Sequence, residues 1–191
     1  PLYMQYIIYH QDLLQGDFGF AWHTGKSVAY DLAIRFAATF ELTIISLIFA
    51  ILLGIPLGML AALKANKKTD HIVRVGSLVG LSVPEYVIGL LFIYLFYYQI
   101  PIFPPILGRI DIFLSPPTDL TGLYIVDSLI TMNWEVLRSS LASIFLPAFT
   151  LALVMMAPIT RFTRSAMLDV LYSEHILAAK SYGLSKFTIN F

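Results

Sequence analysis

The sequence predicts an all-α, polytopic transmembrane helical bundle. Hydrophobic residues make up 58% of the 191 and charged residues only 13%, about half the charged share usual in soluble domains. The mean hydropathy is +0.79. Three apolar runs each reach the roughly 20 helical residues that a bilayer crossing takes. The same composition narrows function. A formal net charge of zero, with no basic cluster longer than Lys67-Lys68, argues against nucleic acid as a partner. The chain has no cysteine, which removes disulfides, thiolate zinc sites and cysteine nucleophiles. The four histidines, at 10, 23, 71 and 175, show no metal-ligand spacing. No catalytic residue, metal or cofactor is expected.

Residues 1–41 form an external segment. Within it, Asp17 of "GDFG" suits a turn held by its side chain. Val28, Leu32 and Phe36 recur four apart, with Asp31 and Arg35 on another face, which predicts an amphipathic helix over 27–38 at the outer interface. The transmembrane core, 42–160, follows. Its first span is "LTIISLIFAILLGIPLGMLAAL", 42–63, where Gly54-x-x-x-Gly58 favours close helix packing in lipid. The second, 75–100, ends in Tyr94, Tyr97 and Tyr98, which suit an interfacial aromatic belt. The external loop 101–140 is stiffened by proline and carries a short helix around 123–130. The third span is "LASIFLPAFTLALVMMAPIT", 141–160. Pro56, Pro84, Pro147 and Pro158 lie in or at the edges of these runs, where neighbouring helices or water can satisfy the freed backbone groups.

Basic residues choose the orientation. Segments 64–74 and 161–191 hold eight Lys and Arg in 42 positions, whereas 1–41 and 101–140 hold four in 81. The denser segments belong in the cytoplasm. The chain is therefore expected to be a multi-pass protein of the inner or plasma membrane. It starts at Pro1 and stops at "TINF", so it is also expected to be a piece of a longer protein whose missing spans flank it.

Two places stand out chemically. Glu85 follows Pro84 about 11 residues past Arg74, near mid-membrane if the run is one straight helix. A charged carboxylate there costs roughly 2.5–3.5 kcal/mol. Pro84 and Glu85 either line a water-filled path, or Glu85 bonds the backbone that Pro84 frees. The second place is "SEHILAAKSYGLSKF", 173–187. Ser173 can cap a helix there, Glu174 suits its first turn, and Gly183 supplies a left-handed stop. About nine residues make a helix too short to stand alone in water. Ala178 and Ala179 would let a partner come close, and Ile176 with Tyr182 offers it apolar contact.

Taken in order, these stretches resemble the B-type membrane subunit of dipeptide and oligopeptide ABC importers, the binding-protein-dependent permeases. The resemblance runs along nearly the whole chain. It is carried by "GDFG" and "TGKSV", by "TFELTIISLIFAILLGIPLGMLAAL" with Thr39, Glu41 and Gly54-x-Pro56-x-Gly58, and by "VGLSVPEYVIGLL". "PPTDLTGLYIVDSLITMNW" is similar to the external loop of the peptide branch, and "LPAFTLAL" with "RFTRSAMLDVL" to the fourth span and its cytoplasmic exit. The resemblance implies a coupling helix in which Glu-Ala-Ala, three residues and Gly dock on an ATPase subunit. Here Glu174, Leu177, Ala178, Ala179, Gly183 and Leu184 would make that contact, with Leu177 where the general motif has Glu.

The implied partners are a second homologous permease subunit, two cytoplasmic ABC ATPase subunits, an extracytoplasmic solute-binding protein and the lipid bilayer. Asp17 then has docking of that binding protein as its second reading, and Arg161 and Arg164 are expected to face lipid headgroups or the cytoplasm, with contact to the ATPase as their second reading. No Walker sequence is present, so ATP binding is expected on the partners. Related permeases carry nickel or oligosaccharides, and sequence does not separate those cargoes from peptides. An intramembrane enzyme is poorly supported, because the spans offer Ser46, Ser77 and Ser82 but no histidine. A passive channel would show a filter or a charged ring, which one Glu does not make.

Overall fold

An apolar chain in lipid must satisfy its own backbone, and a helix does so within one segment. The computed structural model, which describes residues 1–105 and 107–184, is helical accordingly. Helix α1 (Leu2–Leu14) leads into strands β1 (Phe20–Ala21) and β2 (Lys26–Ser27), which pair antiparallel. Then come α2 (Val28–Leu63), α3 (Lys68–Ser82) and α4 (Glu85–Ile93), the last continued by a π-helical segment, Tyr94–Gln99. Helices α5 (Tyr124–Ile130), α6 (Trp134–Leu171) and α7 (Glu174–Ser181) complete the described chain. Helices α2 and α6 are each long and apolar enough to cross a membrane, and α3 with α4 qualifies only as a bent pair. The all-α membrane fold agrees with the composition.

Three boundaries differ from those the sequence suggests. The amphipathic segment 27–38 and the span 42–63 are one helix, α2, because no Gly or Pro interrupts 28–53. Likewise α6 extends the third span in both directions and runs through Pro147, Pro158 and the first part of the 161–191 segment. The third difference matters most. The apolar run 75–100 is not one straight helix: α3 and α4 with its π-helical continuation meet at 98°, and the bent pair counts as a broken span or a re-entrant loop. Val83 precedes a proline, which disfavours the helical region, and it sits extended at φ −93°, ψ 127°. Each 15-residue arm of the pair is about 22 Å long, short of the roughly 30 Å hydrocarbon core. Lys186 and the end of the 173–187 stretch lie outside the described residues.

The chain divides into two units. The first comprises Pro1–Leu42 and Ile106–Leu141. Asp17 accepts the Gly19 N–H at 2.8 Å, so "GDFG" is a turn held by its side chain. Gly16 and Gly19 flank it with positive φ. Two buried carboxylates organise the rest of this unit. Glu41 accepts the Arg109 guanidinium at 2.8 Å and the Ile125 N–H at 2.7 Å. Arg109 also donates to the Gly122 carbonyl at 2.9 Å and lies 3.7 Å over the Tyr124 ring. Asp127 accepts from the Thr121 N–H at 2.9 Å, the Thr121 hydroxyl at 2.7 Å and the Gly122 N–H at 3.1 Å. Burial pushes the Asp127 carboxyl up, but the hydrogen bonds from Thr121, Leu120 and Gly122 outweigh it and hold it below its ordinary value. The proline-rich loop is thereby fixed around charge.

The second unit comprises Thr43–Pro105 and Ala142–Phe191. Its core is made of small residues: Ala50, Ala61, Ala148, Ala152 and Ala157 are each at most 1% exposed. Small side chains let helix backbones approach closely in lipid. A Cβ on Gly54 would come within 3.0 Å of Ile159, and one on Gly58 within 2.6 Å of Thr163 and 2.7 Å of the Thr160 carbonyl. The Thr160 hydroxyl donates to the Gly54 carbonyl at 3.2 Å. Gly54-x-x-x-Gly58 is thus the α2–α6 contact. Phe49, Phe145 and Phe149 form a ring cluster beside it, which Phe92 and Phe103 join.

Candidate functional site

Helix α7 forms where the sequence places it. Its backbone opens with the Ile176 N–H on the Ser173 carbonyl at 3.1 Å and closes with the Tyr182 N–H on the Ala178 carbonyl at 3.1 Å. Gly183 follows at φ +77°, the left-handed stop expected of it. A Cβ at Gly183 would meet nothing within 4 Å, so its constraint is conformational alone. Glu174, Ala178, Gly183 and Leu184 are exposed, and Tyr182 is 86% exposed. Leu177 and Ala179 lie on the same eight-residue helix. So short a helix gains little from its own hydrogen bonds. Its exposed surface is available to a partner.

Pro84 and Glu85 are not mid-helix. Pro84 is the N-cap of α4 and Glu85 its first residue. The Pro84 carbonyl accepts the Val87 N–H at 3.0 Å, so the break is closed by backbone. Glu85 is exposed and forms no hydrogen bond or ion pair among the described residues. Of the two readings of Glu85, the one in which it bonds backbone freed by Pro84 finds no such bond among the described residues. The depth counted along a straight helix from Arg74 also lapses, because the chain turns 98° between the two residues. What remains is a free carboxylate at the N-terminus of α4, where the helix dipole favours negative charge.

The residue that sequence reasoning placed least well is Arg164. Instead of facing headgroups or solvent, it grips Asp70: Nε to Oδ1 at 2.6 Å and an Nη to Oδ2 at 2.7 Å, a bidentate fork. Asp70 is 0% exposed and Arg164 keeps 21% of its side chain accessible. Asp70 also accepts the Asn66 N–H at 2.9 Å, and Asn66 holds φ +62° in the turn between α2 and α3. One carboxylate thus fastens the start of α3 to α6, two turns before the loop that leads to α7. Nothing local marks this pair, since the partners stand 94 residues apart. The available signal was general: an acid and a base bordering apolar spans need partners.

The tyrosines and phenylalanines of 92–98 separate by face. Tyr94, Tyr97 and Tyr98 are exposed, as a belt requires, with Tyr94 stacked on Tyr98. Phe92 and Phe96 instead turn inward, Phe92 onto Phe149 and Phe96 onto Phe103, and so are packing residues rather than anchors. Among the described residues no group of three His, Asp or Glu could hold a metal ion.

Residues 54–191 match the family of the binding-protein-dependent transport system inner membrane component. The chain is 44% identical over 96% of its length to the protein named "Probable D,D-dipeptide transport system permease protein DdpB" of Escherichia coli (strain K12), covering 54% of that protein. It is 35% identical over 96% of its length to the dipeptide transport system permease protein DppB of Alkalihalophilus pseudofirmus, and 36% over 97% to the di/tripeptide transport system permease protein DppB of Pseudomonas aeruginosa (strain UCBPP-PA14), again covering 54% of each. The chain spans about half the length of the curated relatives it matches.

Proposed function

The chain belongs to the family of inner membrane components of binding-protein-dependent transport systems, and from that premise we propose that it is part of a permease subunit importing di- and oligopeptides. In this reading a second permease subunit shares the path, an extracytoplasmic binding protein delivers the peptide, and two ABC ATPases hydrolyse ATP. The permease itself makes and breaks no covalent bond. The relatives' names support peptides over nickel or oligosaccharides as cargo.

The observation that carries the proposal is α7: an exposed, marginal helix closed by a left-handed Gly183 and set just beyond a long apolar helix. We assign it as the coupling helix. Residues 64–74 and 161–184 face the cytoplasm in this arrangement, and Glu85 opens onto the peptide path. Ordering of α7 against an ATPase cleft would transmit movement to α6 and, through Arg164–Asp70, to α3.

Variants in the full-length protein test the assignment. Ala178→Glu places a charge on an exposed small-residue position, and Gly183→Val forces a β-branched residue to φ +77°, costing about 1–2 kcal/mol. Both should cut ATPase association or peptide-stimulated hydrolysis while peptide capture by the binding protein persists. Since the chain lacks cysteine, labelling gives the orientation: Thr118→Cys should react with an impermeant thiol reagent outside intact cells and Asn66→Cys should not. Normal transport by both α7 variants, or the reversed labelling pattern, would overturn the coupling role.

A further inference from the structure

Between α3 and α6 lies a cavity of about 170 Å³ whose charged lining is three arginines and no acid: Arg74, Arg161 and Arg164. The three are not equivalent. Arg164 is committed to Asp70, whose two oxygens accept its fork and the Asn66 N–H. Arg74 and Arg161 are exposed and make no ion pair among the described residues. With Asp70 and Arg164 cancelling, the pocket carries a formal charge of about +2 from two guanidiniums that can each form planar, paired hydrogen bonds.

The rest of the lining has a direction. Along α3, Arg74 is followed by Ser77 and Leu78 one turn on, then Leu81 two turns on. Along α6, which runs into the basic segment rather than out of it, Thr160 and Ala157 precede Arg161 by up to one turn. Both helices therefore present arginine at the same end and aliphatic carbon beyond, while the Ser77 and Thr160 hydroxyls between them donate to the Val73 and Gly54 carbonyls. A cationic end and an apolar lining of Leu78, Leu81 and Ala157 are complementary to an anionic amphiphile, and they sit where apolar helices meet a basic segment.

We propose that Arg74 and Arg161 form a binding site for the phosphate diester of an anionic phospholipid, whose acyl chain follows Leu78 and Leu81. The site rests on the membrane-spanning reading of α6 and the α3–α4 pair, and not on the transported solute. Phosphate is the shared chemistry, and a free phosphate compound could supply it too. The exposed leucines beside the arginines, Leu78 and Leu81, assign the source to lipid.

The full-length permease, purified in detergent and examined by native mass spectrometry, tests this with phosphatidylglycerol and phosphatidylcholine as probes. The wild type should hold phosphatidylglycerol selectively, and Arg74→Gln with Arg161→Gln should weaken it about thirtyfold. The paired change to Lys should keep most of the selectivity, which a folding defect would not. Arg138→Gln, away from the pocket, should bind as the wild type does. Equal binding of the two lipids, or undiminished phosphatidylglycerol on the double Gln variant, would overturn the site. Displacement of the lipid by millimolar glycerol 3-phosphate or inorganic phosphate would overturn its lipid source. Undiminished lipid binding together with lost ATPase association in the Gln variant would reassign the arginines to a protein carboxylate.

Discussion

Removing the Arg164 side chain should be among the most damaging single changes in the second unit. Asp70 is fully buried and depends on two charge-assisted bonds, at 2.6 and 2.7 Å, plus one backbone N–H at 2.9 Å. Arg164→Leu leaves the carboxylate with the backbone bond alone. Breaking a fully buried ion pair by deleting one partner costs about 3–5 kcal/mol, because the surviving charge stays desolvated. Arg164 retains 21% exposure, so water can reach the vacated side and the lower end, about 3 kcal/mol, applies. Asp70→Asn with Arg164 intact should cost less, since Asn still accepts the Asn66 N–H and the guanidinium can turn toward solvent. The double change Asp70→Asn with Arg164→Leu removes both charges and should recover much of the loss. Thermal unfolding of the full-length protein in detergent, run on all four members of the cycle, reads these differences. Additive losses in the double variant would show that the pair is not coupled, and the inferred link from α6 to α3 would fail with it.

Three further outcomes follow from the geometry. Gly58→Ala puts a methyl group 2.6 Å from Thr163 and 2.7 Å from a backbone oxygen that cannot move aside cheaply, so it should destabilise by about 1–3 kcal/mol, whereas Gly76→Ala, with nothing within 4 Å, should be neutral or stabilising in the same thermal assay. The Asp127 carboxyl is held below its ordinary 3.8 in the folded state, so its contribution is complete above that value and is lost as pH falls below it. Asp127→Asn should destabilise at neutral pH and flatten the acid side of a stability profile, and a profile unchanged below pH 4 would contradict the hydrogen-bond reading. Glu85→Gln should leave assembly and stability near normal, because Glu85 has no protein partner to lose, while altering uptake of cationic peptides. Unchanged uptake, with a Glu85→Cys variant unlabelled with and without ATP, would remove Glu85 from the path.

What the sequence displayed was local. Helix α5 appears within a residue of its expected start because Pro116, Pro117 and Gly122 punctuate the chain before it. Gly183 takes its left-handed conformation, and Gly54 with Gly58 makes the close packing that small residues four apart permit. The polar ties were out of reach for a different reason. Glu41 meets Arg109 across 68 residues and the Ile125 backbone across 84, and Asp70 meets Arg164 across 94. Periodicity carries no information at those separations. Glu41 stood out only through its place in a resembling stretch, with no role attached to it.

The bend at Val83–Pro84 lies between these cases, because its signal is local but competes with the apolarity of the run around it. A proline inside a long apolar run reads as a tolerated kink when apolarity alone sets the span. Yet the residue before proline resists the helical region, and Val83, β-branched, adds its own preference for extended backbone. Ser82 ends α3 with its hydroxyl on the Leu78 carbonyl at 2.8 Å, meeting an acceptor near the helix end. Glu85 then begins α4 with charge of the sign a helix N-terminus favours. Each of these choices agrees with two helices rather than one. The break therefore belongs to the chain's own chemistry, and Glu85 takes its place from it: an exposed carboxylate at a helix start beside a 98° turn.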